Sequence, residues 1–396
     1  MTDPAREGCI TGIGIVSCLG EGLDAHWQKL NAGETTVDDV TFAPYSVHPI
    51  CTLDLDRQIP KKGDQRQMEA WQRIGTYAAG LALESAGIKG DTEILARTDM
   101  IVAAGGGERD VAADSAILSA LPDAANPDAL LNERLMSDLR PTLFLAQLSN
   151  LLAGNISIVH GVTGSSRTFM GEESSGIDSL RVALARINAG QADIALVGGS
   201  YNAERKDLLM LYEFGGALLK GGYRPVWARG PQGGMVTGSL GAFLVVESIA
   251  HVRARGAKII ARLSAVMSER SSRKADPVRP ALRAMWGRIA SRVRPGQAAI
   301  LSGASGAEPA TGGERLFLTE HADIPIRATG SYIGHGMEPS FPMNVALAAL
   351  ALDRGGLFAP RDPAGFEVPI TGALSQVVVT GAGYWRGEGM ALVEAA

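Results

Sequence analysis

The sequence predicts an α/β protein with largely parallel sheets. Three observations carry this: apolar runs that end at glycine, long helical patterns between them, and an excess of glycine at those run ends. Four segments share one form, a polar lead, an apolar run and then small residues with glycine. They are TDMIVAAGGG (98–107), ADIALVGGS (192–200), QAAILSGASG (297–306) and SQVVVTGAG (375–383). Short apolar runs of this kind read as strands buried on both faces. Strands alternating with helices place the chain in the α/β class. The 49 glycines follow such runs and form no repeats, which excludes collagen-like and linker readings.

The helices follow in order. In 66–88 the apolar positions Trp71, Ile74, Tyr77 or Ala78, and Leu81 keep helical spacing, and Gly87 suits the C-terminal stop. In 174–190, Ile177, Leu180, Leu184 and Ile187 do the same before Gly190. Residues 342–352 are apolar nearly all round, which predicts a buried helix. Two of the four strand-glycine segments fall in each half of the 396 residues, which points to an internal duplication. The seam is expected near 250, giving halves 1–250 and 251–396.

Composition narrows the functions. Hydrophobic residues make up 46% and charged residues 20%, enough to bury a large core. Lys plus Arg total 37 against 42 Asp plus Glu, a net charge of -5 that argues against nucleic acid as the main partner. Cys9, Cys18 and Cys51 all lie in the first 51 residues, too few and too clustered for a disulfide framework or a zinc ribbon. The six histidines show no paired metal spacing, so no metal site is expected. MTDPAREG has no basic start or apolar core, and no run approaches the ~20 apolar residues of a membrane span. A cytoplasmic protein with no membrane span is expected. Residues 251–294 hold twelve Arg or Lys and only two acids. They read either as a solvated helical face or as a dock for an acidic partner, with Arg270, Arg273, Arg279 and Arg283 as candidates.

Several motifs fail on inspection. GIGIVSCLG (12–20) lacks the G-x-G-x-x-G spacing of a dinucleotide site. GGGERD (105–110) follows a strand but has no Lys-Ser/Thr pair, so it is no P-loop. No G-x-S-x-G elbow is present. Glu172-Glu173 sits at the start of an amphipathic helix, where acidic residues commonly act as caps. Adjacent carboxylates on a turn point different ways, which argues against a shared-proton dyad.

The chain nevertheless resembles the β-ketoacyl-[acyl carrier protein] synthases of the thiolase-like fold. ITGIGIVSCLGEGLDAHWQKLNAGE (10–34) is similar to their opening strand and first helix. LLAGNISIVHGVTGSSRTF (151–169) is similar to the approach to the nucleophile. RPVWARGPQGGMVTGSLGAFLVVES (224–248) resembles R-P-F-D…D-G-F-V-x-G-E-G-A, and HVRARGAKIIARL (251–263) resembles the basic helix and strand after it. The resemblance covers nearly the whole chain. It implies two pseudo-symmetric βαβαβαββ halves in a five-layer αβαβα arrangement, and a dimer joined through the N-terminal halves. It also implies a chemistry: a cysteine at a helix N-terminus takes the acyl group, two histidines assist decarboxylation, and backbone N–H groups hold the oxyanion. No cofactor is implied.

Set on the family's motifs, most of that machinery is gone. The T-A-C-[ST]-[SA]-G turn corresponds without gaps to GEESSG (171–176), which puts Glu173 at the cysteine position. The N-A-H-G-T-x-T-P loop corresponds to ILSGASGAEP (300–309), with Gly303 nearest the first histidine. The pantetheine threonines are reduced to Ser305 and Ala307. T-K-S-x-T-G-H corresponds to TGSYIGH (329–335), so His335 matches the second histidine while Gly330 replaces the lysine. The glycine-rich turn after it is replaced by GMEPSF (336–341). The G-F-G-G-T-N gate loop corresponds to GYWRGEG (383–389), with Tyr384 or Trp385 as the acyl-pocket gate and the pocket partly filled.

The resemblance therefore implies a non-catalytic, chain-length-factor-like subunit. It would pair with an active ketosynthase as a heterodimer in fatty acyl or polyketide chain elongation and serve an acyl carrier protein. Two alternatives stay open. One is a malonyl decarboxylase or hydrolase using Glu173 and His335. The other is a homodimeric scaffold that binds acyl carrier protein through the basic segment.

Overall fold

Strand β1 (Gly8–Ser17) lies mid-sheet and is buried along its whole length. Its glycines are there for contact. A Cβ on Gly14 would sit 2.0 Å from the Ala78 carbonyl oxygen, so the helix Ala70–Ser85 lies directly on the strand backbone. The computed structural model describes residues 3–139, 142–273, 277–370 and 372–396. The N-terminal run continues with β2 (Gly20–Glu21), β3 (Val47–His48), β4 (Asp99–Ala103), β5 (Ser166–Phe169), β6 (Ile194–Tyr201), β7 (Thr237–Gly238) and β8 (Leu240–Ser248). After the helix Ile249–Arg255 come β9 (Ala261–Glu269), β10 (Ala298–Ser302), β11 (Ile326–Ala328), β12 (Gln376–Ala382) and β13 (Glu388–Ala395).

The main sheet has the order β11-β10-β12-β13-β9-β1-β8-β6-β4-β5. Each flank repeats one topology. Within β5-β4-β6-β8-β1 the strands stand third, second, fourth, fifth and first in chain order, and β11-β10-β12-β13-β9 reads the same way. The two runs meet where Gly8–Ile10 pairs antiparallel with Ala261–Leu263. The four strand-glycine segments of the sequence are β4, β6, β10 and β12. Their mutual pairings, and those to β5 and β11, are parallel. The centre differs from the expectation of largely parallel sheets: β6·β8, β8·β1, β9·β13 and β13·β12 are all antiparallel. A strand buried on both faces shows the same apolar run in either direction, so periodicity carries burial and not polarity.

Helices complete five layers. Glu172–Asn188 and Ser340–Asp353 lie between the two halves of the sheet and touch each other and strands of both halves. Phe341 through Leu352 are all buried, as the apolar pattern of 342–352 predicts. Ala70–Ser85 and Leu151–His160 cover the outer face of the first half, and Val278–Ile289 with Ala310–Thr319 covers the second. Among the described residues no helix is long and apolar enough to cross a membrane.

Candidate functional site

The helix Glu172–Asn188 begins abruptly. Gly171 takes φ 129° and Glu172 takes φ 53°, a left-handed conformation that a non-glycine residue adopts at a cost. Four residues on, Gly176 lets the helix reach the 336–341 turn. A Cβ there would stand 2.1 Å from the Glu338 carbonyl oxygen. The sharp entry and the close approach together drive the Glu173 side chain inward, where it is 5% exposed. The N-cap residue, Gly171, has no side chain to cap the helix.

Glu173 meets His335 there. His335 Nε2 donates to Glu173 Oε1 at 2.9 Å, and the Tyr384 backbone N–H donates to the same oxygen at 3.1 Å. Burial raises the Glu173 carboxyl's hold on its proton, but the hydrogen bond and charge of His335 and the backbone donors outweigh it. The net position lies below the usual carboxylate range, so Glu173 is ionised at neutral pH. Its Oε2 is buried without a partner among the described residues. The His335 backbone is pinned on both sides: its N–H donates to Val236 O at 2.9 Å, and its carbonyl accepts from Gly238 at 3.0 Å.

Gly303 follows β10 and donates its N–H to Thr380 O at 3.0 Å. It lines one small cavity with His335, Thr329, Gly330, Ser340 and Asn344, and that space measures about 10 Å³. This is room for about one water and no more. His335 is thus the link between the positions: it bonds Glu173 and shares the small cavity with Gly303, which Glu173 does not line. No thiol of the kind a condensing nucleophile needs is offered by Cys9 or Cys18, since burial pushes each up to about 11.

The 383–389 loop closes over this point. The Tyr384 hydroxyl donates to Gly215 O, and its ring meets Trp385 edge-on at 4.6 Å. Trp385 is 49% exposed and packs over Gly215. Arg273 clamps the loop from behind: its guanidinium donates to Gly383 O at 3.0 Å through Nε and pairs with the buried Glu388. Of the four candidate docking arginines, Arg273 is therefore engaged inside the chain. Arg279 and Arg283 share Glu320 at 2.5 and 2.6 Å on the surface, and Arg270 is exposed. Lys274 and Asp276, two members of the charged segment, lie outside the described residues.

Two buried carboxyls were missed from the sequence. Glu314 is fully buried, with Ser302 and Thr380 hydroxyls donating to Oε1 and no partner at Oε2; burial raises its pKa. It was legible as an acid on the apolar stripe Ala310, Glu314, Phe317, Leu318. Glu338 lies in the 336–341 turn, where burial, with Glu173 and Glu172 beside it, pushes the carboxyl up to about 8. His26, His48 and His160 are core groups whose burial lowers them to about 4, 3 and 4. Among the described residues no three His, Cys, Asp or Glu converge as metal ligands.

Comparison with known proteins agrees with this fold. Residues 6–248 match the family model for the β-ketoacyl synthase N-terminal domain. The chain is 25% identical over 268 residues to 3-oxoacyl-[acyl-carrier-protein] synthase 2 of Vibrio cholerae, covering 65% of this chain and 62% of that enzyme. It is 25% identical over 379 residues to the oxytetracycline polyketide putative β-ketoacyl synthase 1 of Streptomyces rimosus, covering 89% and 86%. The match thus spans about three fifths of the Vibrio relative's length. The ishigamide ketosynthase/chain length factor superposes with a TM-score of 0.79 at 20% identity, over 99% of both chains. A type II PKS acyl-carrier protein in complex with its ketosynthase gives 0.75 at 18%, over 100% of both. These structures share the thiolase-like fold seen here. With the family model matched over more than half its length, the chain belongs to the β-ketoacyl synthase family.

Proposed function

We propose that this chain is a non-catalytic ketosynthase-like subunit of the chain-length-factor type. It pairs with a cysteine-bearing ketosynthase in fatty acyl or polyketide chain elongation. The observation that carries this is the Glu173–His335 pair, buried at the family's nucleophile position beside a space of about 10 Å³. A carboxylate held by an imidazole there forms no thioester, and the missing nucleophile alone costs several orders of magnitude in rate. The two repeated topologies are proposed as the halves 1–250 and 251–396, working in the cytoplasm. An acyl carrier protein, an acidic partner by this reading, is proposed to dock at Arg270, Arg279 and Arg283. The experiment is co-expression with a ketosynthase encoded nearby. A stoichiometric complex is expected, and a stable stand-alone homodimer that ignores the ketosynthase contradicts the proposal.

A second reading rests on the same 2.9 Å hydrogen bond. Glu173 would act as acid/base and His335 would hold an enolate, giving malonyl decarboxylation or hydrolysis. Glu173→Gln separates the two. Unchanged carbon dioxide release from malonyl-carrier by the complex is expected for a non-catalytic subunit, and abolished release favours this second reading.

A further inference from the structure

A second cavity, of about 260 Å³, lies outside the Glu173–His335 contact. Glu172, Glu338, Trp71, Tyr201, Tyr212 and Arg205 line it, and neither His335 nor Gly303 does. It opens between two exposed residues, Gly106 and Leu211.

Among the described residues, one buried carboxyl at this cavity accepts from no residue but its own backbone N–H. Glu338 is 5% exposed, and among the described residues no other residue's side chain or backbone is hydrogen-bonded to its carboxyl. That carboxyl lies against the bare backbone of Gly105, where a Cβ would stand 2.7 Å from Oε1. The Trp71 indole N–H is buried with no partner among the described residues, but as a donor it suits water or an acceptor and does not itself hold an ammonium. The only lining base is already engaged: Arg205 binds Asp207 at 2.6 Å and Gly107 O at 2.9 Å. Glu108 nearby accepts the Trp71 backbone N–H and Asn202.

We propose that this cavity binds a small organic ligand bearing a primary ammonium group, held by the Glu338 and Glu172 carboxylates. Three N–H donors suit a pair of carboxyls that, among the described residues, accept from no other residue. Trp71, Tyr201 and Tyr212 line the cavity and supply aromatic surface for an apolar stem beside the cation. An anion meets an excess of acids, and a metal ion finds no converging ligand set among the described residues. Burial raises the Glu172 carboxyl as well, and Glu173 adds to that. An arriving cation reverses the cause in both groups, so binding expels protons. The other charged or titratable groups facing Glu338 are Arg205 with Asp207, Glu108, Tyr201, Tyr212 and the Glu173–His335 pair.

The site stands apart from the pairing with a ketosynthase, and its failure leaves that proposal untouched. Calorimetric titration of the full chain with 2-phenylethylammonium, 2-phenylethanol and 3-phenylpropionate tests it, since the three differ in head group alone. The amine is expected to bind saturably and at least tenfold tighter than the alcohol, with no binding of the acid. Its affinity is expected to rise up to about tenfold per pH unit towards pH 8 and then level off. Glu338→Gln, close in shape to the protonated acid, is expected to weaken binding at least tenfold and flatten the pH profile. Leu211→Trp, at the exposed mouth, is expected to block entry without touching the core. Absence of saturable amine binding, equal binding of the alcohol, or unchanged affinity in Glu338→Gln overturns the proposal.

Discussion

Glu173 and Glu338 are both buried, yet their protons behave in opposite ways. Glu173 has a histidine and a backbone N–H; Glu338 has neighbouring carboxyls and no donor from another residue. The pH dependence therefore has opposite signs. Glu173, with its pKa lowered, adds stability above its unfolded value, and this is lost as pH falls through the folded value. Glu338, raised to about 8, is neutral and tolerated at low pH. Its contribution declines as pH climbs from the unfolded value of about 4.3 through 8. Glu338→Gln is thus expected to stabilise the chain at pH 8 by on the order of a few kcal/mol and to leave it nearly unchanged at pH 5. Thermal melts at the two pH values check this; an equal shift at both contradicts it. Glu173 and His335 were legible in the sequence because each sits in a motif aligned without gaps. Glu338 was not, because its environment comes from Gly105, Glu172 and Arg205, all distant in sequence.

At the scale of elements, the 383–389 loop shows what a short sequence comparison reads and omits. The large residues Tyr384 and Trp385 signalled a filled turn. The clamp from Arg273 was invisible, since its partners Gly383 and Glu388 lie more than a hundred residues away and the local pattern showed only a basic run. Removing Arg273 leaves Glu388, fully buried, without its cation, a change that costs roughly 3–5 kcal/mol. Arg273→Ala is expected to lower stability by about that amount and to speed amide exchange across 383–388. Unaltered exchange in that loop contradicts the clamp. The helices were the easiest elements to read: Gly87 and Gly190 mark helix ends with φ 69° and 68°. The antiparallel centre of the sheet was the hardest, because direction leaves no periodic trace in a strand buried on both faces.

For the molecule as a whole, repeated topology and an occluded centre stand together. Two matching sets of five strands enclose two buried helices, and the junction that the family uses for chemistry holds a carboxylate–imidazole contact. The family's architecture is kept, and the proposal that the chain works beside a competent ketosynthase rests on reading Glu173 at the nucleophile position. The sequence left 251–294 as either a solvated helical face or a dock for an acidic partner. In the structure part of that charge is neutralised within the chain: Arg255 and Arg273 pair with the buried Glu247 and Glu388, while Arg292 meets Glu394 at the surface. The most direct measurement is the intact mass of the isolated chain after incubation with an acyl-loaded carrier protein. An unchanged mass is expected; an increase equal to the acyl group contradicts the account.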